Sequence, residues 1–118
     1  MNYAITDLLP DDPNVIVGHN LHMTCQLYSD DYHARDLKFE FRLHRTDGHR
    51  RGHVRKIQAS ASDIFVVNAS VVELNYTNMR PRFDRATVVC YHQKSSTALS
   101  DMQIIKVGRE YSFYLEYL

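Results

Sequence analysis

The sequence lacks the features of several common protein classes. It has no tryptophan and only four glycines, so a glycine-rich phosphate loop is not expected. Lysine plus arginine and aspartate plus glutamate number 14 each, and a neutral chain is not a bulk binder of nucleic acid. No apolar run approaches the roughly 18–20 residues of a bilayer span, so we expect no membrane insertion by this segment.

The sequence also lacks a recognisable signal peptide and recognisable catalytic motifs. The first residues, MNYAITDLLPDDP, lack both the basic and the apolar region of a signal peptide. There is no G-x-S-x-G motif and no cysteine with a dedicated base, so we expect neither an enzyme nor a cofactor.

Strict alternation of apolar and polar residues is what the sequence does contain. Leu21, Met23, Cys25 and Leu27 alternate with polar residues, and the same pattern recurs along the chain. Turn signals such as Asp47-Gly48 separate the alternating runs. The pattern predicts seven or eight short strands, at residues 14–17, 21–27, 37–43, 53–58, 64–67, 71–76, 86–90 and 102–107. A chain of 118 residues with such strands and no helical crossovers predicts one domain of two packed antiparallel sheets.

Seven histidines raise the question of a metal site. His19 and His22 are three apart and His49 and His53 four apart, spacings that suit one face of a helix. On strands these spacings hold the side chains too far apart for one ion, so no metal is expected. His92 shares the inward parity of Cys90 and is expected to be a partly buried polar residue near the sheet end.

The two cysteines, Cys25 and Cys90, both fall on the apolar side of their strands. A bridge between them would join the sheets across the core and stabilise the fold by about 4 kcal/mol on the chain-entropy model. Two glycosylation sequons begin at Asn68 and Asn75. Together these features favour the secretory pathway and an extracellular location. The alternative is a cytosolic chain with two buried thiols.

One stretch of sequence carries a family likeness. The pattern Leu74-x-Tyr76…Met79…Asp84-x-Ala86-x-Val88-x-Cys90 resembles the corner between the E and F strands of the immunoglobulin superfamily. The resemblance implies an immunoglobulin-like β-sandwich of two antiparallel sheets with one inter-sheet disulfide. Val88 stands where the family has tyrosine, and the usual tryptophan is missing, so Phe39 or Phe41 is expected to pack against the disulfide. The family's aspartate pairs with a basic residue, and no such partner of Asp84 is identified.

A narrower likeness extends from Val15 to Gly108. The runs VIVGHNLHMTCQL and CYHQKSSTALSDMQIIKVG resemble the membrane-distal immunoglobulin-like domain of class I cytokine receptors of the interleukin-6 signal-transducer type, which includes Domeless-like receptors. The resemblance implies an immunoglobulin-like domain at residues 1–108. The segment at 109–118 departs from the receptor pattern and is interpreted as a C-terminal tail or junction segment. The resemblance also implies a ligand-binding role in a receptor ectodomain, with a helical cytokine as the ligand.

The most unusual local feature is the basic segment from His44 to Lys56. It contributes a candidate patch for an anion or an acidic ligand, formed by Arg45, Arg50, Arg51, Arg55 and Lys56. A sulfated glycan would suit this patch. The alternative is a solvated hairpin whose charges keep a sheet edge from aggregating.

Three functions therefore remain open from the sequence. The first is cytokine binding, and the second is adhesion or guidance through contact with another immunoglobulin-like domain. The third is binding of sulfated glycan through the basic segment. Glycans at Asn68 and Asn75 would block one sheet and direct a protein ligand to the other sheet or to loops such as Lys94 to Ser100.

Overall fold

The computed structural model describes residues 5–44, 54–94 and 100–109. Three short 3-10 turns connect some of the strands, at Ala34–Asp36, Ala61–Asp63 and Pro81–Phe83. The strands of the described part are β1 (Thr6–Leu9), β2 (Asn14–Ile16), β3 (Leu21–Leu27), β4 (Leu37–His44), β5 (Val54–Gln58), β6 (Ile64–Val66), β7 (Val71–Tyr76), β8 (Thr87–His92), β9 (Met102–Ile104) and β10 (Lys106–Gly108).

Eight of these strands form two antiparallel sheets. One sheet has the order β1-β3-β7-β6 and the other has the order β5-β4-β8-β9. The remaining strands, β2 and β10, pair in parallel with each other. The strand order is that of an immunoglobulin-like sandwich, with β1-β3-β7-β6 as strands A, B, E and D. The predicted all-β sandwich of two antiparallel sheets is confirmed.

The inter-sheet disulfide predicted from the cysteine positions is present between Cys25 and Cys90, which are 65 residues apart. It links β3 to β8, which are both central strands of their sheets. Both cysteines are fully buried. Phe39 is the register partner of Cys90 on β4 and is also fully buried, so its ring lies beside the bridge on the inner face.

Phe41 belongs to an aromatic cluster farther along β4. Its ring centroid lies 4.6 Å from that of Tyr76 and 5.4 Å from that of Phe83. Tyr76 and Phe83 are themselves 5.5 Å apart. Because the three rings come from β4, β7 and the turn Pro81–Phe83, the cluster ties both sheets to the turn that precedes β8.

The strand β1 is not among the predicted strands, since it has only four residues and its two leucines are adjacent rather than alternating. Side chains distant in sequence hold its free edge. The Leu8 N–H donates to Asp101 Oδ2 at 2.9 Å, and Gln103 Nε2 donates to the Leu8 carbonyl at 3.0 Å. Thr6 Oγ1 donates to the Cys90 carbonyl at 3.0 Å. These bonds satisfy backbone groups at a sheet edge and close the sandwich on that side.

The predicted strand at 102–107 is divided at Ile105. The preceding part, β9, pairs with β8, whereas the following part, β10, pairs with β2. Ile105 is fully buried, and its N–H donates to the Ala86 carbonyl at 2.8 Å. The chain therefore changes partner around one core residue.

Asp84 has a definite structural role six residues before Cys90. Its Oδ1 atom accepts a hydrogen bond from the Val107 N–H at 2.9 Å. The bond joins the turn before β8 to β10. The Asp84 carboxylate thus pairs with a backbone N–H, whereas the family resemblance implied pairing with a basic side chain.

We expect Asp84→Ala to lower the free energy of unfolding by about 1 kcal/mol, because the Val107 N–H loses its acceptor. Asp84→Asn keeps an acceptor oxygen and is expected to cost about half as much. Urea unfolding of the two variants tests this. Equal effects of both substitutions would contradict a role for the acceptor oxygen.

Candidate recognition surface

The outward side of the β5-β4-β8-β9 sheet is set by the alternation of β4. Leu37, Phe39, Phe41 and Leu43 point into the core, so the residues between them point outward. Register partners share a face, which extends the outward set to the other three strands. We call this set the β4–β8 face; it comprises Lys38, Glu40, Arg42, Lys56, Gln58, Thr87, Val89, Tyr91, Met102 and Ile104.

Polar pairs order the centre of the β4–β8 face. Arg42 Nε donates to Glu40 Oε2 at 2.9 Å, and Glu40 is 8% exposed. Gln58 Nε2 donates to the Tyr91 hydroxyl oxygen. Burial raises the pKa of Tyr91 above its ordinary value of 10.0, and the negative charge of Glu40 raises this pKa further. The positive charge of Arg42 lowers it by a smaller amount. The Tyr91 phenol is therefore neutral at physiological pH and keeps a proton to donate.

Exposed apolar side chains lie at the β9 edge of this face. Met102 is 48% exposed and Ile104 is 55% exposed. Val89 lies between Glu40 and Met102 in the register, yet it is fully buried by its larger neighbours. An apolar edge beside ordered polar pairs is a composition that suits a protein interface.

The opposite sheet carries the predicted glycosylation sites. Asn75 is exposed on β7, while its neighbour Leu74 is buried in the core. Asn68 is exposed in the turn before β7, and its Oδ1 atom accepts a hydrogen bond from the Ser70 N–H at 2.8 Å. Both asparagines are therefore accessible in the folded chain.

The predicted basic patch lies only partly within the described residues. Arg45, Arg50 and Arg51 fall outside them. Arg55 and Lys56 are both exposed on β5, but adjacent strand residues point to opposite faces. Lys56 pairs with Arg42 and joins the β4–β8 face, whereas Arg55 pairs with Leu43.

A polar cleft of about 450 Å³ lies at one end of the sandwich, between the connection after β3 and the end of β8. His92 is one of the residues that line it and is 2% exposed. The His92 ring lies 4.2 Å from the Tyr32 ring, and its Nε2 atom is 3.8 Å from Asp36 Oδ2. The Lys94 N–H donates to His92 Nδ1 at 3.1 Å. His92 is thus held as a structural side chain, more deeply than the sequence predicts.

Sequence reasoning did not single out Gln58, Tyr91, Met102 or Ile104. Their alternation was visible, but the register that brings β5, β8 and β9 beside β4 was not. Of the predicted loop from Lys94 to Ser100, residues 95–99 lie outside the described part.

The described ranges also lack two other kinds of feature. No group of three or more histidine, cysteine, aspartate or glutamate side chains there is placed to hold a metal ion. Within the same ranges, no helix is long and apolar enough to cross a membrane. No protein-family model and no curated protein matches this sequence.

Proposed function

We propose that this chain is an extracellular recognition domain that binds a protein ligand through the β4–β8 face. The observation that carries the proposal is the difference between the two sheets. One presents exposed Met102 and Ile104 beside ordered polar pairs, and the other presents the sequon asparagine Asn75. A glycan on Asn75 would leave the β4–β8 face as the open sheet.

The disulfide supports an extracellular location, because such bridges persist in oxidising compartments. Cys25 and Cys90 are buried and paired, and the described residues contain no free cysteine. Two exposed sequon asparagines agree with passage through the secretory pathway.

A helical cytokine is the ligand that we favour. The likeness to membrane-distal domains of class I cytokine receptors supports this choice. An amphipathic helix presents an apolar stripe flanked by charges. The β4–β8 face offers a matching arrangement, with Met102 and Ile104 at one side and the Arg42–Glu40 pair and Lys56 at the other.

We expect Ile104→Asp to weaken ligand binding at least about tenfold, because it places a charge in an apolar contact. The matched control is Val67→Asp in the turn directly after β6 of the other sheet, where an aliphatic side chain is similarly exposed at 45%. The assay is binding of the immobilised chain to a panel of recombinant four-helix cytokines. Equal affinities of the two variants for a bound cytokine would contradict the proposed face.

The same variants separate the competing functions. Self-association in sedimentation equilibrium that Ile104→Asp abolishes would assign the face to pairing between immunoglobulin-like domains. Strong retention on a heparin column, lost when Arg50 and Arg51 are replaced, would assign the function to sulfated glycan. Either result, without cytokine binding, overturns the cytokine proposal.

A further inference from the structure

The outer face of the β1-β3-β7-β6 sheet has a groove that the proposed function does not use. It has a volume of about 520 Å³ and is lined mainly by apolar surface. Leu9, Thr24, Glu73 and Phe65 form one row across the sheet, since each is the register partner of the next. We call it the sheet groove; its lining includes these four residues together with His22 and Asn75.

Phe65 is the most conspicuous part of the sheet groove. It is 66% exposed, the largest exposed fraction among the large hydrophobic residues of the described part. Unlike the exposed Tyr28, it has no hydroxyl group to meet water. It lies on β6, a three-residue strand at the sheet edge. An exposed aromatic ring on an edge strand promotes association with another chain.

Asn75 lies in the same groove as this ring. Glu73 is the register partner of Phe65, and Asn75 follows Glu73 by two residues on the same face. Such diagonal neighbours are about 7–8 Å apart, within reach of a long or aromatic side chain. His22 stands directly opposite Asn75 on the other side. A group attached to the Asn75 amide therefore begins inside the groove.

We propose that an N-linked glycan on Asn75 occupies the sheet groove, with its first N-acetylglucosamine packed on the Phe65 ring. This inference rests on the proposed function in one respect, because attachment requires the secretory pathway. In the attachment, Asn75 Nδ2 forms a bond to C1 of the first sugar of a lipid-diphosphate-linked oligosaccharide. The C1–O bond to the diphosphate breaks, the lipid diphosphate leaves, and the amide nitrogen loses one proton.

A tethered sugar is favoured over a separate partner for this groove. The covalent link supplies a high effective concentration, so a weak contact between a pyranose ring and Phe65 is enough. The apolar C–H face of the sugar covers the aromatic ring, and its hydroxyl groups remain available to Glu73, Thr24 and water. The glycan then hides the exposed apolar surface at the β6 edge.

A double-mutant cycle tests the inference in the 118-residue chain, secreted from eukaryotic cells by means of an added, cleavable signal peptide. Thr77→Ala removes the sequon and keeps Asn75, while Phe65→Ala removes the ring. We expect Thr77→Ala to lower the Tm by about 3 °C when Phe65 is present and by less than about 1 °C in the Phe65→Ala background. Trimming the glycan to its first sugar is expected to retain the higher Tm. Ser70→Ala, which removes the other sequon, serves as the control and should show no dependence on Phe65.

The absence of tryptophan allows a second, direct readout. Phe65→Trp introduces a single tryptophan at the groove, which is excited selectively at wavelengths where the tyrosines absorb little. Its emission should be shifted to the blue and less quenched by acrylamide in the glycosylated protein than in the same variant carrying Thr77→Ala. Identical spectra and quenching would overturn the inference.

The remaining outcomes separate this inference from the proposed function. Glycopeptide mass spectrometry that finds no sugar on Asn75 overturns the inference, as does an equal Tm loss with and without Phe65. Neither result affects the recognition proposal, which depends on the Ile104→Asp comparison. Conversely, if Ile104→Asp has no effect on ligand binding, the recognition proposal is wrong. The coupling between the Asn75 glycan and Phe65 would be unaffected by that result.

Discussion

Replacing Cys25 and Cys90 together with alanine is expected to lower the free energy of unfolding by about 4 kcal/mol. The bridge closes a loop between residues 65 apart in sequence and so limits the conformational entropy of the unfolded chain. Its removal restores that entropy, which favours unfolding. Native domains are stable by only about 5–15 kcal/mol, so this one bond supplies a large share of the total.

Urea unfolding of the double variant and of the wild type measures the effect, with and without reductant. Reductant should destabilise the wild type to the level of the double variant and leave the double variant unchanged. Intact mass after alkylation in denaturant, without reductant, confirms the bond in the starting protein. A double variant within about 1 kcal/mol of the wild type would contradict the expected role of the bridge.

Phe41→Ala is expected to lower the free energy of unfolding by about 4 kcal/mol, because it opens a cavity in the aromatic cluster. Phe41 is fully buried and loses both ring contacts, with Tyr76 and with Phe83. Each such pair adds about 0.5–1.5 kcal/mol beyond the buried area. The cluster also positions the turn before β8, so the loss spreads to the strand that carries Cys90.

The matched control is Phe65→Ala in protein made in bacteria, where no glycan is attached. This substitution removes the same ring from a position that is 66% exposed, and it should cost less than about 0.5 kcal/mol. Phe41→Leu, which fills part of the cavity, should fall between the two. Urea unfolding of the three variants provides the comparison, and similar effects of Phe41→Ala and Phe65→Ala would contradict the cluster's importance.

Much of the sandwich could be predicted because strand alternation is a local property. A period of two places Leu21, Met23 and Cys25 on one side of β3 wherever that strand lies in the fold. The same reasoning places both cysteines in the core and the Asn75 side chain outside it. Burial of these residues needs no knowledge of which strands are neighbours.

The candidate sites could not be predicted from alternation alone, because they depend on which strands are neighbours. Alternation places Glu40 and Val89 on the outer face, yet both are buried there by residues of neighbouring strands. The acceptor role of Asp84 requires Val107, which is 23 residues away. The edge of β1 requires Asp101, which is 93 residues from Leu8.

The sequence by itself determined the class of fold, the inward position of the cysteines and the parity of each strand. These follow from steric alternation and from the free energy of apolar burial, which act on each short segment separately. Only the tertiary structure decided which side chains share a surface. Met102 joins Arg42 on one face, and Phe65 joins Asn75 on the other, through registers between segments distant in the chain. Register depends on packing of the whole domain, and a linear pattern does not contain it.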